Sequence, residues 1–553
     1  MSCMYLFCCL ICYSTLTNEA NFQIIMPMAA DTAVCKTGQV IVRYGNWESV
    51  SAMRSQLLQI FIYQYIFESH SLGLHFGKVY IFTSIIRDKE RIYKEIIMSK
   101  TGKKEKINLT EGSPFRVIMQ FTLPVIGGNL FQLFYTLADS VIVGKTLGTS
   151  SLAAVGATSI IVYFVLCFIQ GMTNGFGIYL GQKAGEGKLE EIKKGAAASL
   201  WLSLVFTAVI TVVFCGLAHP ILRFMKTPGD IYNEAYEYMF IVLLGSGATF
   251  FYNMISNILR ALGDSRTPLY YLVFSSLLNI VLDILFIVPF KGGVAGAAWA
   301  TVLSQLLASL LCAVSGVRRY EELRLSRRDF SGLRKVCIRE LKIGFPMGFQ
   351  MSVMCIGQLA MQSAVNGFGS MAVAGYTAAT KADQVSVLVN NATASALSAY
   401  VSQNYGAGKW NRIRQGVRAA LIQTQCLNLM MGAGILFLRR PIVEMFLSDP
   451  SNEVIWYSNG YLNWVAPCYL ILGVLSIYRC AVQSMQNTAA PFIACMIELV
   501  MRIGSTLLIC SLWGYTGVCI ATPLAWLGAG SYVMFVYRSM QRKMPFVNRS
   551  PKA

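Results

Sequence analysis

Histidine is almost missing from this chain of 553 residues: His70, His75 and His219 are the only three. They are too few and too scattered to build a histidine metal centre or a histidine-dependent hydrolase. Charge is scarce as well. Asp, Glu, Lys and Arg make up 13% of the chain against 55% hydrophobic residues, where a soluble globular domain carries about 25% charged residues. With a mean hydropathy of +0.53, a soluble globular protein is excluded. Acids are the scarcer sign, 27 against 46 Lys and Arg, which leaves a formal charge of +19. The basic residues cluster in short loops between apolar runs, so they mark membrane topology and not a nucleic-acid surface. The sixteen Cys are scattered, mostly singly within apolar segments. They form no disulfide framework and no metal spacing, and the one Cys-x-x-Cys (Cys9 to Cys12) stands in the N-terminal segment. The glycine-rich GQKAGEGK at 181–188 lacks the G-x-x-x-x-G-K-[ST] spacing of a nucleotide loop. No nucleophile, metal cluster or cofactor motif is visible, so neither an enzyme nor a cofactor is expected.

What the chain does have is long apolar runs. Twelve can be read, at about 115–143, 152–180, 190–217, 232–261, 267–290, 293–317, 339–366, 370–402, 410–438, 455–484, 489–512 and 514–537. A span needs about 20 apolar residues, so an all-α polytopic membrane protein follows. Lys and Arg set its orientation. One side holds Lys100, Lys103, Lys104, Lys106, Lys183, Lys188, Lys193, Lys194, Arg260 and Arg266. The dense run from Arg318 to Lys335, then Lys409, Arg412, Arg414, Arg538, Arg542 and Lys543 lie on that side too. Little beyond Lys145, Arg223, Lys226, Lys291, Arg439 and Arg440 falls on the other. Both termini are therefore expected in the cytoplasm. Residues 1–97 differ from the rest in composition, and MSKTGKKEKINLTEGSP from Met98 reads as a basic cytoplasmic N-terminus. Met98 is the expected start, with 1–97 a doubtful N-terminal extension from an over-extended gene boundary; the alternative is a genuine short amphipathic or anchor segment.

The chain also repeats itself. GQKAGEGKLEEIKKG (181–195) returns as SQNYGAGKWNRIRQG (402–416), and GVAGAAWAT (293–301) as GYTGVCIAT (514–522). LGTSSLAA (147–154) matches FGSMAVAG (368–375) at the same offset, and Pro124 pairs with Pro346 one residue off it. A constant offset in separate places indicates duplication. Six spans per half is an even number, so the halves share an orientation about a pseudo-two-fold axis along the membrane normal. The expected organisation is an N-lobe over 98–317, a cytoplasmic linker at 318–338, a C-lobe over 339–540 and a tail at 541–553.

Two carboxylates stand inside the apolar runs. Asp139 lies near the end of the first span and Asp283 in LLNIVLDILFIV. A carboxylate there is costly unless it faces a cavity or a partner. Asn279 is four residues before Asp283, on the same helix face, and Thr301 follows in the next span. At a rise of about 1.5 Å per residue from the nearest loop, Asp139, Asp283 and Thr301 fall roughly 8–12 Å below one membrane surface. Such oxygens suit a proton or a small hard cation such as Na+. The bland alternatives are that Asp139 reaches back to the headgroups and that Asp283 hydrogen-bonds a neighbouring helix. Asn279 and Thr301 draw their weight from standing beside Asp283. Pro124 is expected to kink the first helix. Gln132, Tyr135, Asn257, Lys381 and Asp383 are further candidates for lining a cavity. Lys381 and Asp383 are expected to pair near a helix start, and Glu498 and Arg502 to form an i, i+4 pair on a helix surface. The second half has no acid where Asp139 and Asp283 would recur, since Leu359, Ala360, Met361 and LLICSLW (507–513) are uncharged. Met119, Met172, Met239 and Met254, with Met347, Met351, Met354, Met361 and Met371, read first as core filler. Flexible thioethers among aromatics also suit varied apolar ligands.

Taken together, these motifs resemble the multidrug and toxic compound extrusion (MATE) family of secondary transporters. The residues carrying the resemblance are Pro124 and Asp139, the GQ-x-x-G-x-G-K loop in both halves, RALGDSRTP (260–268), Asn279 with Asp283, and Thr301 in GVAGAAWAT. It extends from residue 107 to about 540. It implies twelve helices in two six-helix lobes forming a V, alternating access, and export of organic, cationic amphiphilic compounds in exchange for H+ or Na+. It also implies a cation or proton site at Asp139, Asn279, Asp283 and Thr301, with Pro124 bending the first helix. The cell membrane is the expected location, with small organic molecules and the bilayer as partners and the chain acting as a monomer. QSMQNTAAP (483–491) departs from the family's more charged loop, which leaves a second cation site in the C-lobe open. The rival reading is a lipid-linked oligosaccharide flippase of similar architecture. It would need Arg and Lys in its cavity to hold a pyrophosphate.

Overall fold

The computed structural model describes residues 33–36, 39–42, 107–225, 227–446 and 451–544. The chain divides into two compact units, 1–104 and 105–553. In the first, β1 (Ala33–Lys36) and β2 (Gln39–Val42) pair antiparallel, with Ala33 opposite Val42. Otherwise the expectations for residues 1–97 and for a start at Met98 lie outside the described residues, as does most of the 541–553 tail.

The second unit is helical. Its first half comprises α1 (Pro114–Thr146), α2 (Thr149–Glu186), α3 (Leu189–Gly216), the short α4 (Ala218–Phe224), α5 (Tyr232–Leu244), α6 (Ser246–Ala261), α7 (Arg266–Ile287) and α8 (Gly293–Arg319). Two 3-10 turns, Glu321–Leu323 and Arg327–Phe330, follow. The second half comprises α9 (Arg334–Asn366), α10 (Ser370–Gly406), α11 (Trp410–Phe446), α12 (Asn452–Val465), α13 (Tyr469–Ser484), α14 (Ala489–Trp513) and α15 (Tyr515–Lys543). The twelve expected spans are all present, but those at 232–261 and 455–484 are each two helices. The first breaks at Gly245, where an added Cβ would meet Val302 Cγ2 at 2.2 Å. The second breaks at the 3-10 turn Ala466–Cys468, whose Pro467 has no N–H to donate.

Eleven spans among the described residues are long and apolar enough to cross a bilayer. The twelfth, α10, is 37 residues long but carries Lys381, Asp383, Gln384, Asn390 and Asn391. It packs against α1, α2, α11, α12 and α13, so its polar groups need not face lipid.

The duplication seen in the sequence recurs in the packing. α1 packs on α7 and α10, and α9 on α14 and α2. α2 with α6 has its counterpart in α10 with α13, and α7 with α8 in α14 with α15. The first helix of each half serves both lobes. Val117, Ile118, Phe121 and Val125 of α1 belong to the second-half core, whereas Val143 packs with Ile287 and Ala297 of α7 and α8. Ile343 and Met347 of α9 belong to the first-half core, and Met361 and Val365 to the second. Pro124 lies between Phe121 and Val125, within the second-half core, and Pro346 between Ile343 and Met347, within the first-half core, each before its helix passes to the other core. Each proline removes one backbone hydrogen bond ahead of that crossing.

Glycine makes the contact between halves close. In α2, Gly171 and Gly175 lie four apart, as do Gly344 and Gly348 in α9. A Cβ on Gly171 would lie 2.7 Å from Gly348 Cα, and one on Gly175 2.3 Å from Gly344 Cα. These facing small-xxx-small stripes let two backbones touch, which is how helices associate without a hydrophobic driving force.

Candidate functional site

Three helices bring the four sequence-predicted ligands together. Asp139 is seven residues before the end of α1, Asp283 four before the end of α7, and Thr301 eight after the start of α8. At about 1.5 Å per residue those are depths of roughly 6–12 Å from one end of the bundle. The helices pack on one another. The Asp139 and Asp283 carboxyl groups approach to hydrogen-bonding range. Asn279 Nδ2 donates to Thr301 Oγ1 at 3.4 Å, which turns the Asn279 carbonyl oxygen away from that bond.

Polar accounting at the site is unusual. Asp283 is fully buried and Asn279 is 2% exposed. Asp139 Oδ1, Asn279 Oδ1 and both Asp283 carboxylate oxygens are buried and accept no hydrogen bond among the described residues. Two facing carboxylates hold only acceptors, so neither can satisfy the other without a proton or a cation between them. Buried oxygens of this kind cost free energy when left unpaired. Among the described residues no group of three or more His, Cys, Asp or Glu could hold a metal ion. The arrangement therefore fits a proton or a hard monovalent cation better than a transition metal.

Neighbours of the acid pair include two residues that sequence reasoning missed. Tyr135, a predicted lining residue, lies beside Asp139 with Gln132, Thr136 and Gln305 within reach of its hydroxyl. Gln305 is four residues after Thr301 and shares its face of α8, a spacing that could have found it. Tyr238 of α5 lies in the neighbourhood of Asp139, Asp283 and Tyr135. One tyrosine in an apolar run gave no such signal. Asn257 takes a different place. Its Nδ2 donates to Thr173 Oγ1 at 3.2 Å, fastening α6 to α2.

The second half corrects two expectations. Lys381 and Asp383 form no ion pair, because residues two apart on a helix point to different faces. Asp383 instead has the Tyr461 and Tyr469 hydroxyls in reach, with Arg502 nearby. Glu498 and Arg502 are not a surface pair. Glu498, 4% exposed, accepts from Arg479 Nη2 at 2.6 Å and from Arg502 Nη2 at 2.9 Å. The partner that buries them, Arg479, is 19 residues away in sequence and invisible to helical spacing.

The RALGDSRTP motif has a structural role. Asp264 Oδ1 accepts from the backbone N–H groups of Arg266 and Thr267, and Asp264 Oδ2 from the hydroxyls of Thr267 and Tyr320. These bonds satisfy orphan donors at the start of α7 and so help set the helix that carries Asn279 and Asp283.

Comparison with known proteins identifies the family. The sequence model of the MatE family matches twice, at residues 124–285 and 346–508, one match per half. The chain is 30% identical over 440 residues to the probable multidrug resistance protein YpnP of Bacillus subtilis, covering 78% of this chain and 96% of that protein. It is 23% identical over 427 residues to a FAD transporter of Shewanella oneidensis, covering 76% and 94%. A crystal structure of MATE in complex with MaL6 superposes with a TM-score of 0.75 at 25% identity, covering 80% of this chain and 99% of that one. With family matches in both halves and near-complete coverage of its relatives, the chain belongs to the MATE family and is a multi-pass membrane transporter with no enzymatic activity.

Proposed function

We propose that this protein is a secondary antiporter that exports organic, cationic and amphiphilic compounds in exchange for H+ or Na+. The observation that carries the reading is the set of four unpartnered buried oxygens on Asp139, Asn279 and Asp283. Asp139, Asn279, Asp283 and Thr301 would hold the coupling ion, with Tyr135, Gln132 and Tyr238 beside them. A drug cation and the coupling ion then favour different arrangements of the same carboxylates, and only such differential affinity can shift an alternating-access equilibrium. Pro124 lies where α1 is packed in the second-half core, and Asp139 lies further along the same helix, near Val143 on the first-half helices, so a bend at Pro124 would couple the occupancy of Asp139 to the packing of the lobes.

In this reading residues 98–317 and 339–540 are the lobes, 318–338 is the cytoplasmic linker, and the chain acts as a monomer in the cell membrane with both termini inside. The multidrug names of relatives such as YpnP support the substrate class. So do the two buried acids of the N-lobe site, Asp139 and Asp283, which disfavour an anionic group beside them. A flippase is disfavoured because Arg479 and Arg502 are already paired with Glu498 and not free to hold a pyrophosphate. The test is efflux of a fluorescent organic cation from proteoliposomes under an imposed Na+ or proton gradient. Gradient-dependent efflux is expected. Efflux indifferent to both gradients, or movement of a lipid-linked sugar instead, would overturn the proposal.

A further inference from the structure

The repeated GQ-x-x-G-x-G-K element is not used by the ion site, yet it lies where the halves touch. Gln182, near the end of α2, donates from Nε2 to the Ser484 carbonyl at 2.9 Å. Gln403, its counterpart near the end of α10, donates to the Ala261 carbonyl at 2.7 Å. Ser484 and Ala261 are the last residues of α13 and α6, whose final carbonyls have no partner within their own helices. Each half thus satisfies a helix end in the other. The glycines permit it: a Cβ on Gly185 would stand 2.0 Å from the Gln403 carbonyl oxygen, and one on Gly406 1.9 Å from that of Gln182.

The exchange is not symmetric. Gln486 Nε2 donates to Gln182 Oε1 at 2.6 Å, and among the described residues nothing equivalent reaches Gln403 from the first half. In the 260–268 and 483–491 segments Gln486 stands opposite Gly263. Gly263 has φ +94 and Gln486 φ +68. A side chain there is held in the left-handed region that glycine normally fills. The second half accepts that strain and gains a third bond.

We propose that Gln182 and Gln403, with Gln486 as a brace, form a two-fold latch that holds the lobes together at the basic end of the molecule. Ion-driven switching must break it to expose the cavity on that side. Among the described residues the interlobe hydrogen bonds run from this end only to mid-depth, at Asn129 to Leu388 and Ser352 to Phe164, so the latch closes one mouth. When it opens, the Ala261 and Ser484 carbonyls pass to water, which the open mouth supplies. Gln182 and Gln403 are positioning residues that touch neither ion nor drug. The inference rests on the transporter reading only in requiring two alternating states.

The test is amide hydrogen exchange of the full chain in lipid nanodiscs, comparing wild type with Gln182→Ala/Gln403→Ala. It needs no substrate or gradient, so it can succeed or fail independently of the proposed function. A net hydrogen bond is worth a factor of about 5 in an equilibrium, so exchange at 183–189 and 404–410 should rise about tenfold or more. Exchange at the opposite ends of α1 and α9 should fall as that mouth closes. Gln182→Ala alone should exceed Gln403→Ala alone, having lost two bonds to one. Faster exchange at the basic end with the far end unchanged, or no change at all, overturns the latch. Should the double variant not fold, Gly181→Cys with Ser402→Cys decides. A Gly181 Cβ would lie 3.0 Å from Ser402 Cβ, within about 1 Å of disulfide spacing. The oxidised protein, its cross-link confirmed by mass, should stop exporting what the wild type exports and recover on reduction. Undiminished export by cross-linked protein refutes the proposal.

Discussion

Replacing Asp283 with Asn should make the protein more stable without ions and unresponsive to them. Asp283 is fully buried with both oxygens unpartnered, facing Asp139. Two carboxylates about 4 Å apart at an effective dielectric of 20 repel by about 4 kcal/mol, and each carries a desolvation cost of several kcal/mol. A bound proton or Na+ removes the repulsion. A site filled at 100 times its Kd stabilises the fold by about 2.7 kcal/mol, or roughly 5 °C in melting temperature at about 2 °C per kcal/mol. Asn keeps the size, removes one charge and offers its N–H to Asp139, a charge-assisted bond worth about 1.5–3 kcal/mol. The assay is thermal unfolding of purified protein in choline chloride at high pH, with Na+ added or pH lowered. Wild type should rise by several degrees with one or both. Asp283→Asn should begin near the wild-type plateau and stay there. An unchanged ion-dependent shift in Asp283→Asn would show that the ion binds elsewhere.

Other expectations concern packing and coupling. Gly175→Ala should destabilise by about 1–3 kcal/mol, since its Cβ would meet Gly344 Cα at 2.3 Å. Gly156→Ala, with nothing within 4 Å, should be neutral or stabilising by up to about 1 kcal/mol; equal melting points for the two variants would contradict the close contact. Glu498→Ala strands two buried arginines and should cost about 3–5 kcal/mol, while replacing Arg479, Glu498 and Arg502 together by Met should restore most of it. Pro124→Ala restores a backbone hydrogen bond, so drug should still bind but with an affinity that no longer depends on pH or Na+. An ion dependence like that of wild type, measured by titration, would remove the proline from the coupling.

Much of this was legible in the sequence because the membrane imposes few solutions. Apolar runs of span length, Lys and Arg in short loops, and a constant repeat offset each follow from one physical constraint. Asp139, Asp283, Asn279 and Thr301 stood out because a carboxylate in an apolar run is costly and helical spacing places Asn279 beside Asp283. What stayed hidden depends on contacts between distant segments. Arg479 gives no hint from spacing that it buries Glu498, and Tyr238 looks like any aromatic in a span. The i, i+2 spacing of Lys381 and Asp383 already argued against their pairing. The breaks at Gly245 and Pro467 were marked only by residues that many unbroken spans also contain.

The central claim is that one acidic site couples ion and drug in opposite directions. Coupling between two ligands is reciprocal, so a drug gradient alone must drive the ion uphill. Proteoliposomes are loaded with an organic cation, diluted into drug-free medium without any ion gradient, and followed with internal proton- and Na+-sensitive dyes. The account predicts that drug efflux draws H+ or Na+ inward against the developing gradient, and that Asp283→Asn abolishes this ion movement. Drug efflux from wild-type vesicles with no accompanying ion influx would contradict it.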